Sequence, residues 1–476
     1  MATDYDVVIA GAGPVGLWLA SELQLAGVRT AVVERLGMPN PHPKALGIQP
    51  RTLEVFAMRG VEKQFLAEGI PMPRWHFGIL DNKLDLTGLD TAYPFVLAFP
   101  QVRTEAVLEE RAYGLGAEIL RGREVIGLAE DESTVTVELA DGTTLSSQYL
   151  VGADGSGSTV RRAAGIDFVG SDSTVFGYLG DVVLDDPPPM GTTFFNEYGA
   201  VLTAPMPGGL FRVSGYDATD QVPGRREVTL DELRATAIRI AGTDFGMRDP
   251  HWLSRFGNAT RHAETYRKGR VLLAGDAAHI HFPAGGVGLN TGVQDAMNLG
   301  WKLAARVQGR AGEDLLDSYH DERHPLGAAV AEHTLAQTTL IAGTSPTGQA
   351  MRSLFSKLIA TQPSMSLELA KKLTGLDVQY PAPTADSHPL VGTRLSGVEQ
   401  YLQSGRAVLL NMSGKPLEST SDHASAIGIQ TVSGSPELVD ATAAVIRPDG
   451  YVWWATDSSE PGEEISTALD ELGTTF

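Results

Sequence analysis

Three short stretches carry residues whose types and spacing suit the chemistry of holding a nucleotide. In "DVVIAGAGPVG" (6–16), Gly11, Gly13 and Gly16 fit the pattern GxGxxG. The first glycine of such a pattern permits a tight turn, the second admits a pyrophosphate close to the backbone, and the third lets the helix pack on the strand. Glu34 ends the next apolar run, about 20 residues on, where an acidic side chain takes ribose hydroxyls. "GRVLLAGDAAHIHFPAGGVGLN" (269–290) delivers Asp276 to a turn and then sets glycine-rich backbone ahead of a helix expected near Thr291. "YLVGADGSGSTVRRAAG" (149–165) places Asp154, Gly155 and Arg161 on a third turn, which alone reads equally well as a strand followed by a capped helix.

The first turn alone does not separate NAD from FAD. The second turn does. An extended dinucleotide spanning both would have its adenosine at the first and its second ring system at the other. A helix N-terminus under that ring stabilises negative charge. A reduced flavin carries such charge and a nicotinamide does not, so the pair of turns points to FAD held at both ends.

Elements to position these turns are visible on either side of them. "YDVVIA" and "RTAVVE" read as strands, and "GPVGLWLASELQLAG" carries apolar residues at helical spacing. "RTLEVFAMRG" (51–60) and "QVRTEAVLEERAYGLG" (101–116) are further helices closed near glycines. Between 123 and 151 the pattern alternates like strands, with a turn at Asp141 and Gly142. A second β-rich stretch runs from about Val175 to Tyr216. Helices return at "GVQDAMNLGWKLAARVQG" (292–309) and continue to about Leu373. The Pro-rich "YPAPTADSHP" (380–389) marks a boundary, and the tail reads β/α/β/β/α, as a small appended domain.

The composition narrows the class. The chain has 476 residues, a net charge of −21 and no cysteine. Acidity argues against nucleic acid, which needs clustered Lys and Arg. The absence of cysteine excludes disulfides, thiolate nucleophiles, cysteine-ligated zinc and the dithiol chemistry of flavin disulfide reductases. No apolar run reaches the ~18 residues of a membrane span. "MATDYDVVIA" has no basic segment ahead of its apolar stretch, so a cytoplasmic protein is expected.

"GAGPVG", "GADGSGSTVR" and "AGDAAHIHFPAGGVGLNTGVQDAMNLGWKL", in this order, resemble the group A flavoprotein aromatic hydroxylases. The similarity is to the antibiotic type: hydroxylases of angucyclines, anthracyclines and tetracyclines, and rifampicin monooxygenases. It implies an α/β chain with a Rossmann-type, para-hydroxybenzoate hydroxylase-like FAD-binding domain (1–75, 101–172 and 265–385). A β-sheet substrate domain (76–100 and 173–264) and a cysteine-free thioredoxin-like domain (386–476, around "RPDGYVWWA") complete it. FAD contacts carried over are Gly11, Gly13, Pro14, Val15, Gly16, Glu34, Arg35, Gln101, Val125, Asp154, Gly155 and Asp276, with Pro283, Gly286, Gly288, Leu289 and Asn290 in the second turn. Lys44 stands where the family usually has arginine; it keeps the charge and loses the bidentate fork.

The resemblance also implies NADPH as co-substrate, O2, and oxygen transfer to an electron-rich ring carbon through a C4a-hydroperoxyflavin. The expected substrate is an aromatic polyketide or related polycyclic phenol, and the expected assembly a monomer or homodimer. Phe194, Phe195, Tyr198 and Arg212 are the expected substrate contacts, against the competing reading of plain sheet core. Baeyer–Villiger oxygen insertion and antibiotic inactivation of the rifamycin type are the rivals within enzymes. A non-redox isoprenoid or peptide carrier is the rival outside them, disfavoured by the intact turns. "HDERH" (320–324) does not fit the zinc motif HExxH, and Pro325 is expected to end that helix. No metal is expected. His279 and His281, two apart in an extended segment, share a face and are expected beside the flavin turn.

Overall fold

The protein is described by a computed structural model covering residues 3–221, 227–414, 429–433 and 440–473. Tyr5–Ala10 is the central strand, with Val7, Val8 and Ile9 wholly buried, as expected for a parallel strand covered on both faces. It pairs in parallel with Thr144–Gly152 on one side and Thr30–Glu34 on the other, and Val271–Leu273 and Glu118–Arg121 extend the parallel set outward. Val125–Glu130 and Val135–Leu139 join as an antiparallel extension on Thr144–Gly152. The carboxyl ends of the parallel strands therefore bring Gly11, Glu34, Asp154 and Gly275 to one edge, where ligands of open α/β sheets bind.

The helices flanking this sheet are α1 (Pro14–Leu25), α2 (Pro50–Ala57), α3 (Glu62–Glu68), α4 (Gln101–Gly114) and α5 (Thr159–Ala163). A five-stranded antiparallel sheet follows, in the order Thr193–Asn196, Gly199–Pro205, Phe211–Asp217, Phe176–Leu184, Met247–Gly257. One face packs on α6 (Leu230–Ala241), which opens with a Thr229/Glu232 capping box and closes at Gly242 in the left-handed region. The other face meets Ile79, Phe282, Ala284 and Ile341. The segment 76–100, expected with this sheet, lies mainly elsewhere. Val96–Ala98 pairs with Gly47–Ile48 and Ile70–Met72, and Leu84 and Leu86 pack on the last helix of the next group.

That group is α7 (Gly288–Val307), α8 (Glu313–Ile341), α9 (Pro346–Thr361) and α10 (Pro363–Thr374). Pro325 does not end its helix; α8 runs through it. Proline removes one N–H and crowds the preceding turn. Here the neighbouring Glu322 and Arg323 are fixed by buried ion pairs, so tertiary contacts hold the helix across the break.

In the tail, Val408–Asn411 pairs in parallel with Gln430–Ser433 and antiparallel with Ala443–Ile446, which pairs with Val452–Thr456. α11 (Gly462–Gly473) packs on one face through Ile465 and Leu469. The first helix expected in the tail lies outside the described residues. The other face of this sheet (Val408, Leu410, Ala444, Ile446) belongs to the same apolar core as the central sheet. Physically the tail is a continuation of the main core rather than an appendage.

Candidate functional site

Gly11 leaves the central strand with φ +106°, and a Cβ there would sit 2.4 Å from the Ala153 carbonyl oxygen. A Cβ on Gly16 would lie 2.0 Å from the Gly11 oxygen, so strand and helix are as close as backbones allow. Gly13 is different. Its φ is an ordinary −77°, and a Cβ there would meet nothing within 4 Å. The space before Gly13 is thus open, at the N-terminus of a helix with Pro14 in its first turn and no side-chain cap. Free N–H groups and an open approach are what a pyrophosphate requires. Beside it, Glu34 accepts hydrogen bonds from the Ala12 and Leu36 amides at 2.8 and 2.9 Å, which fixes its carboxylate at the strand end.

The second turn touches the first. A Cβ on Gly275 would sit 2.9 Å from Val15 Cγ2, and one on Gly292 2.5 Å from the same atom. Asp276 is exposed, and no hydrogen bond to its carboxylate occurs among the described residues. The third turn also reaches the second. Asp154 Oδ2 accepts from the Thr159 and Val160 amides, while its Oδ1 is buried without a hydrogen-bond partner among the described residues. Arg161 Nη1 donates to the Ala277 carbonyl at 2.7 Å. An exposed carboxylate, an unpaired buried oxygen and an unfilled glycine cradle on adjoining turns fit an extended dinucleotide such as FAD.

Residues 283–290 form the turn expected under the ring. The Gly285 carbonyl accepts from Gln49 Nε2 and Trp75 Nε1, both at 3.0 Å. A Cβ on Gly286 would meet nothing within 4 Å, and one on Gly288 would lie 3.6 Å from His281. Asn290 accepts from the Gln49 amide and donates to the Gly47 and Gly286 carbonyls, so its side chain clasps the two walls of the gap together. Gln101 likewise accepts from the Ala45 amide and donates to Glu105. Both side chains shape the site through the backbone. Arg35 and Lys44 are exposed at its edge, Pro283 is exposed on the turn and Leu289 is half-buried. Val125 packs in the core, which leaves only its backbone for a ligand.

Behind these turns runs a buried polar spine that sequence patterns did not reveal. Asp295 Oδ2 accepts from the Gly275 amide at 3.1 Å and faces His279 Nε2 at 2.7 Å. Asp295 Oδ1 accepts from Arg323 Nε at 2.8 Å, and Arg323 also donates to the Thr291 carbonyl. Burial opposes the Asp295 charge, but Arg323 and His279 outweigh it and hold the carboxyl below its usual range. The two histidines therefore separate: His279 serves Asp295, while His281 is at Gly288 with its pKa lowered by burial. "HDERH" becomes a packing knot. Glu322 pairs with Lys302 and Arg447, His324 faces the Ala263 carbonyl, and the Tyr266 amide donates to His320. Among the described residues no group of three side chains could hold a metal ion.

Of the expected substrate contacts, Phe195 alone faces the seam that leads to the flavin turn. It lies under the Arg352 guanidinium, 3.5 Å from the ring centroid, and Arg352 also donates to the Gly78 and Leu340 carbonyls. Phe194 points to the opposite face and packs on Phe245, as neighbouring strand residues must. Tyr198 sits in the hairpin turn between Thr193–Asn196 and Gly199–Pro205 and is 40% accessible. Arg212 is already committed: it pairs with Asp181 at 2.8 Å and donates to the Lys44 carbonyl. Its guanidinium braces the 43–44 loop and is not open to a substrate. Arg352 and Trp75 were missed because nothing local in their sequence marks them.

The family described as FAD binding domain matches residues 4–334, and the aromatic-ring hydroxylase C-terminal family matches residues 386–473. The chain is 46% identical to an uncharacterized aromatic compound monooxygenase of Bacillus subtilis (strain 168), over 97% of this chain and 96% of that one. It is 41% identical to a rifampicin monooxygenase of Streptomyces venezuelae, over 98% of each. Its structure is similar to that of anhydrotetracycline hydroxylase from Streptomyces rimosus, with a TM-score of 0.88, 40% identity and 98% of each chain covered. Among the described residues no helix is long and apolar enough to cross a membrane. The glycine cradle, the free Asp276 and these likenesses agree: the chain belongs to the antibiotic-type FAD-dependent aromatic hydroxylases.

Proposed function

We propose that the protein is an NAD(P)H-dependent monooxygenase that hydroxylates an aromatic polyketide or a related polycyclic phenol. The net reaction joins substrate, O2, NAD(P)H and a proton to give the hydroxylated product, water and NAD(P)+. The carrying observation is that one strand edge gathers an open Gly13 cradle, a free Asp276 and an uncapped 20-residue helix N-terminus. FAD, when bound, supplies the two-electron and oxygen chemistry; the protein supplies binding, orientation and exclusion of water. Gly13 and the α1 N-terminus would take the pyrophosphate, and Glu34 the ribose hydroxyls. Asp276 would take the ribityl or pyrophosphate end, and the amides of 287–290 at the α7 N-terminus would face the ring. The apolar seam of Ile79, Phe195, Tyr216, Phe256 and Phe282 would receive an aromatic substrate and keep water from it.

The likeness to a rifampicin monooxygenase favours a second reading, in which oxygen is inserted into or inactivates an antibiotic ring. Turnover under labelled O2 separates them, with the substrate taken from a screen of polycyclic phenols and ansamycins. NADPH oxidation is expected to be slow without substrate and faster with it. One labelled atom in a new hydroxyl supports hydroxylation, and one in a lactone or opened ring supports insertion. Product oxygen drawn only from water would sink both.

A further inference from the structure

The walls of the gap that would hold the flavin ring are the segment 45–49, which runs straight into α2, and the turn 283–290, which runs into α7. One crosstie between them is the Asn290 clasp at the gap itself. A second is made by a different part of the chain. The "RPDG" turn of the tail, 447–450, is wedged between α2 and α7. Arg51, two residues beyond Gln49 and 1% exposed, donates to the Asp449 carbonyl at 2.7 Å and pairs with Glu54. On the other side, Asp449 Oδ2 accepts from Trp301 Nε1 at 3.2 Å and from Asn298 Nδ2 at 3.4 Å, both on α7. Arg447 completes the wedge. It pairs with Asp449 and with Glu322, which in turn holds Lys302 of α7. Gly450 lies so close to Met58 that a Cβ would come within 2.4 Å of its methyl carbon.

We propose that this turn is a clamp for the cofactor site and that Asp449 is a positioning residue for FAD. It touches no part of the site, but it fixes α2 against α7 and so sets the spacing of the two walls. A buried residue whose backbone carbonyl accepts from α2 and whose carboxylate accepts from α7 fixes their relative position more tightly than apolar contact does, because its hydrogen bonds are directional. The inference gives the cysteine-free tail a role in cofactor binding, and it rests on the FAD reading above.

The test measures the FAD dissociation constant and the melting temperature of the FAD-free full-length protein. Asp449→Ala and Arg51→Lys are each expected to weaken FAD about tenfold and to shift the visible flavin absorbance. Leu469→Ala, on α11 in the tail's own core and away from the turn, is the control. It is expected to lower the melting temperature while leaving the FAD affinity within about twofold of wild type. Asp449→Asn, which keeps an acceptor for Trp301, should recover part of the loss. Equal FAD losses for Leu469→Ala and Asp449→Ala at equal melting temperature would overturn the proposal, as would unchanged affinity in Asp449→Ala. If Asp449→Ala does not fold, Arg51→Lys decides by the same criteria. A wild-type protein that binds no FAD would remove the cofactor reading, and the clamp with it.

Discussion

At the scale of single residues, the three glycines of one motif carry different physical loads, and substitution separates them. Gly13→Ala places a methyl in empty space at an ordinary φ, so the fold is expected to keep its melting temperature while FAD binding is lost. Gly16→Ala drives a Cβ into the Gly11 carbonyl, so it is expected to unfold or markedly destabilise the chain. Denaturation and flavin titration of both variants check the contrast; comparable stability loss in the two would refute it. If Asp276 binds FAD as proposed, Asp276→Ala removes a charge-assisted hydrogen bond worth about 1.5–3 kcal/mol, or roughly ten- to a hundredfold in affinity. Because Asp276 has no hydrogen-bond partner among the described residues, its stability without FAD should not change. Retention of flavin after dialysis of this variant would count against its assignment.

At the scale of elements, the site depends on α7 and α8 being locked to the second turn. Asp295 is wholly buried and holds Arg323, His279 and the Gly275 amide at once. Asp295→Ala would leave the Arg323 guanidinium without its carboxylate in the core, a loss of about 3–5 kcal/mol. A urea unfolding midpoint that does not move would exclude this account. The same contacts explain α8. Pro325 was expected to break the helix on local grounds, yet α8 continues to Ile341, because the buried pairs of Glu322 and Arg323 just before it exceed the local penalty.

At the scale of the whole molecule, the tail and the main core share one hydrophobic interior. Removing residues after 385 takes the Leu402 and Pro448 carbonyls from Arg59, the Asp449 carbonyl from Arg51, and Arg447 from Glu322. These groups are buried, so the shortened chain is expected not to yield folded soluble protein. A truncated protein that melts cooperatively and binds FAD would show the tail to be independent after all. Stability should also fall in mild acid. Burial, with Lys83 adding to it, lowers His76 from 6.5 to about 4, and burial with the neighbouring His324 does the same for His262. The unfolded chain takes up these protons first, so their contribution is full above pH 6.5 and is lost as pH falls from 6.5 toward 4. Unfolding midpoints between pH 7 and 4 check this, and His76→Gln should reduce the slope.

The sequence by itself determined the strand–turn–helix units and picked out the glycine-bearing turns that the fold gathers at one edge of the sheet. Glycine spacing, a terminal acid and apolar periodicity are local properties, and the backbone geometry they demand is met at Gly11, Gly13, Gly16 and Glu34. It also indicated the β-rich stretch near 175–216, because alternation survives without knowledge of neighbours. Which face each residue takes was not legible. Phe194 and Phe195 are adjacent and chemically alike, yet register on the sheet sends one to α6 and the other toward the site. Arg212 looked available because its partners, Asp181 and the 43–44 carbonyls, are 31 or more residues away. Asp295, Arg323, Arg352 and Asp449 were invisible for the same reason. Buried ions are placed by partners that supply opposite charge across long separations, and only the folded chain brings those partners together.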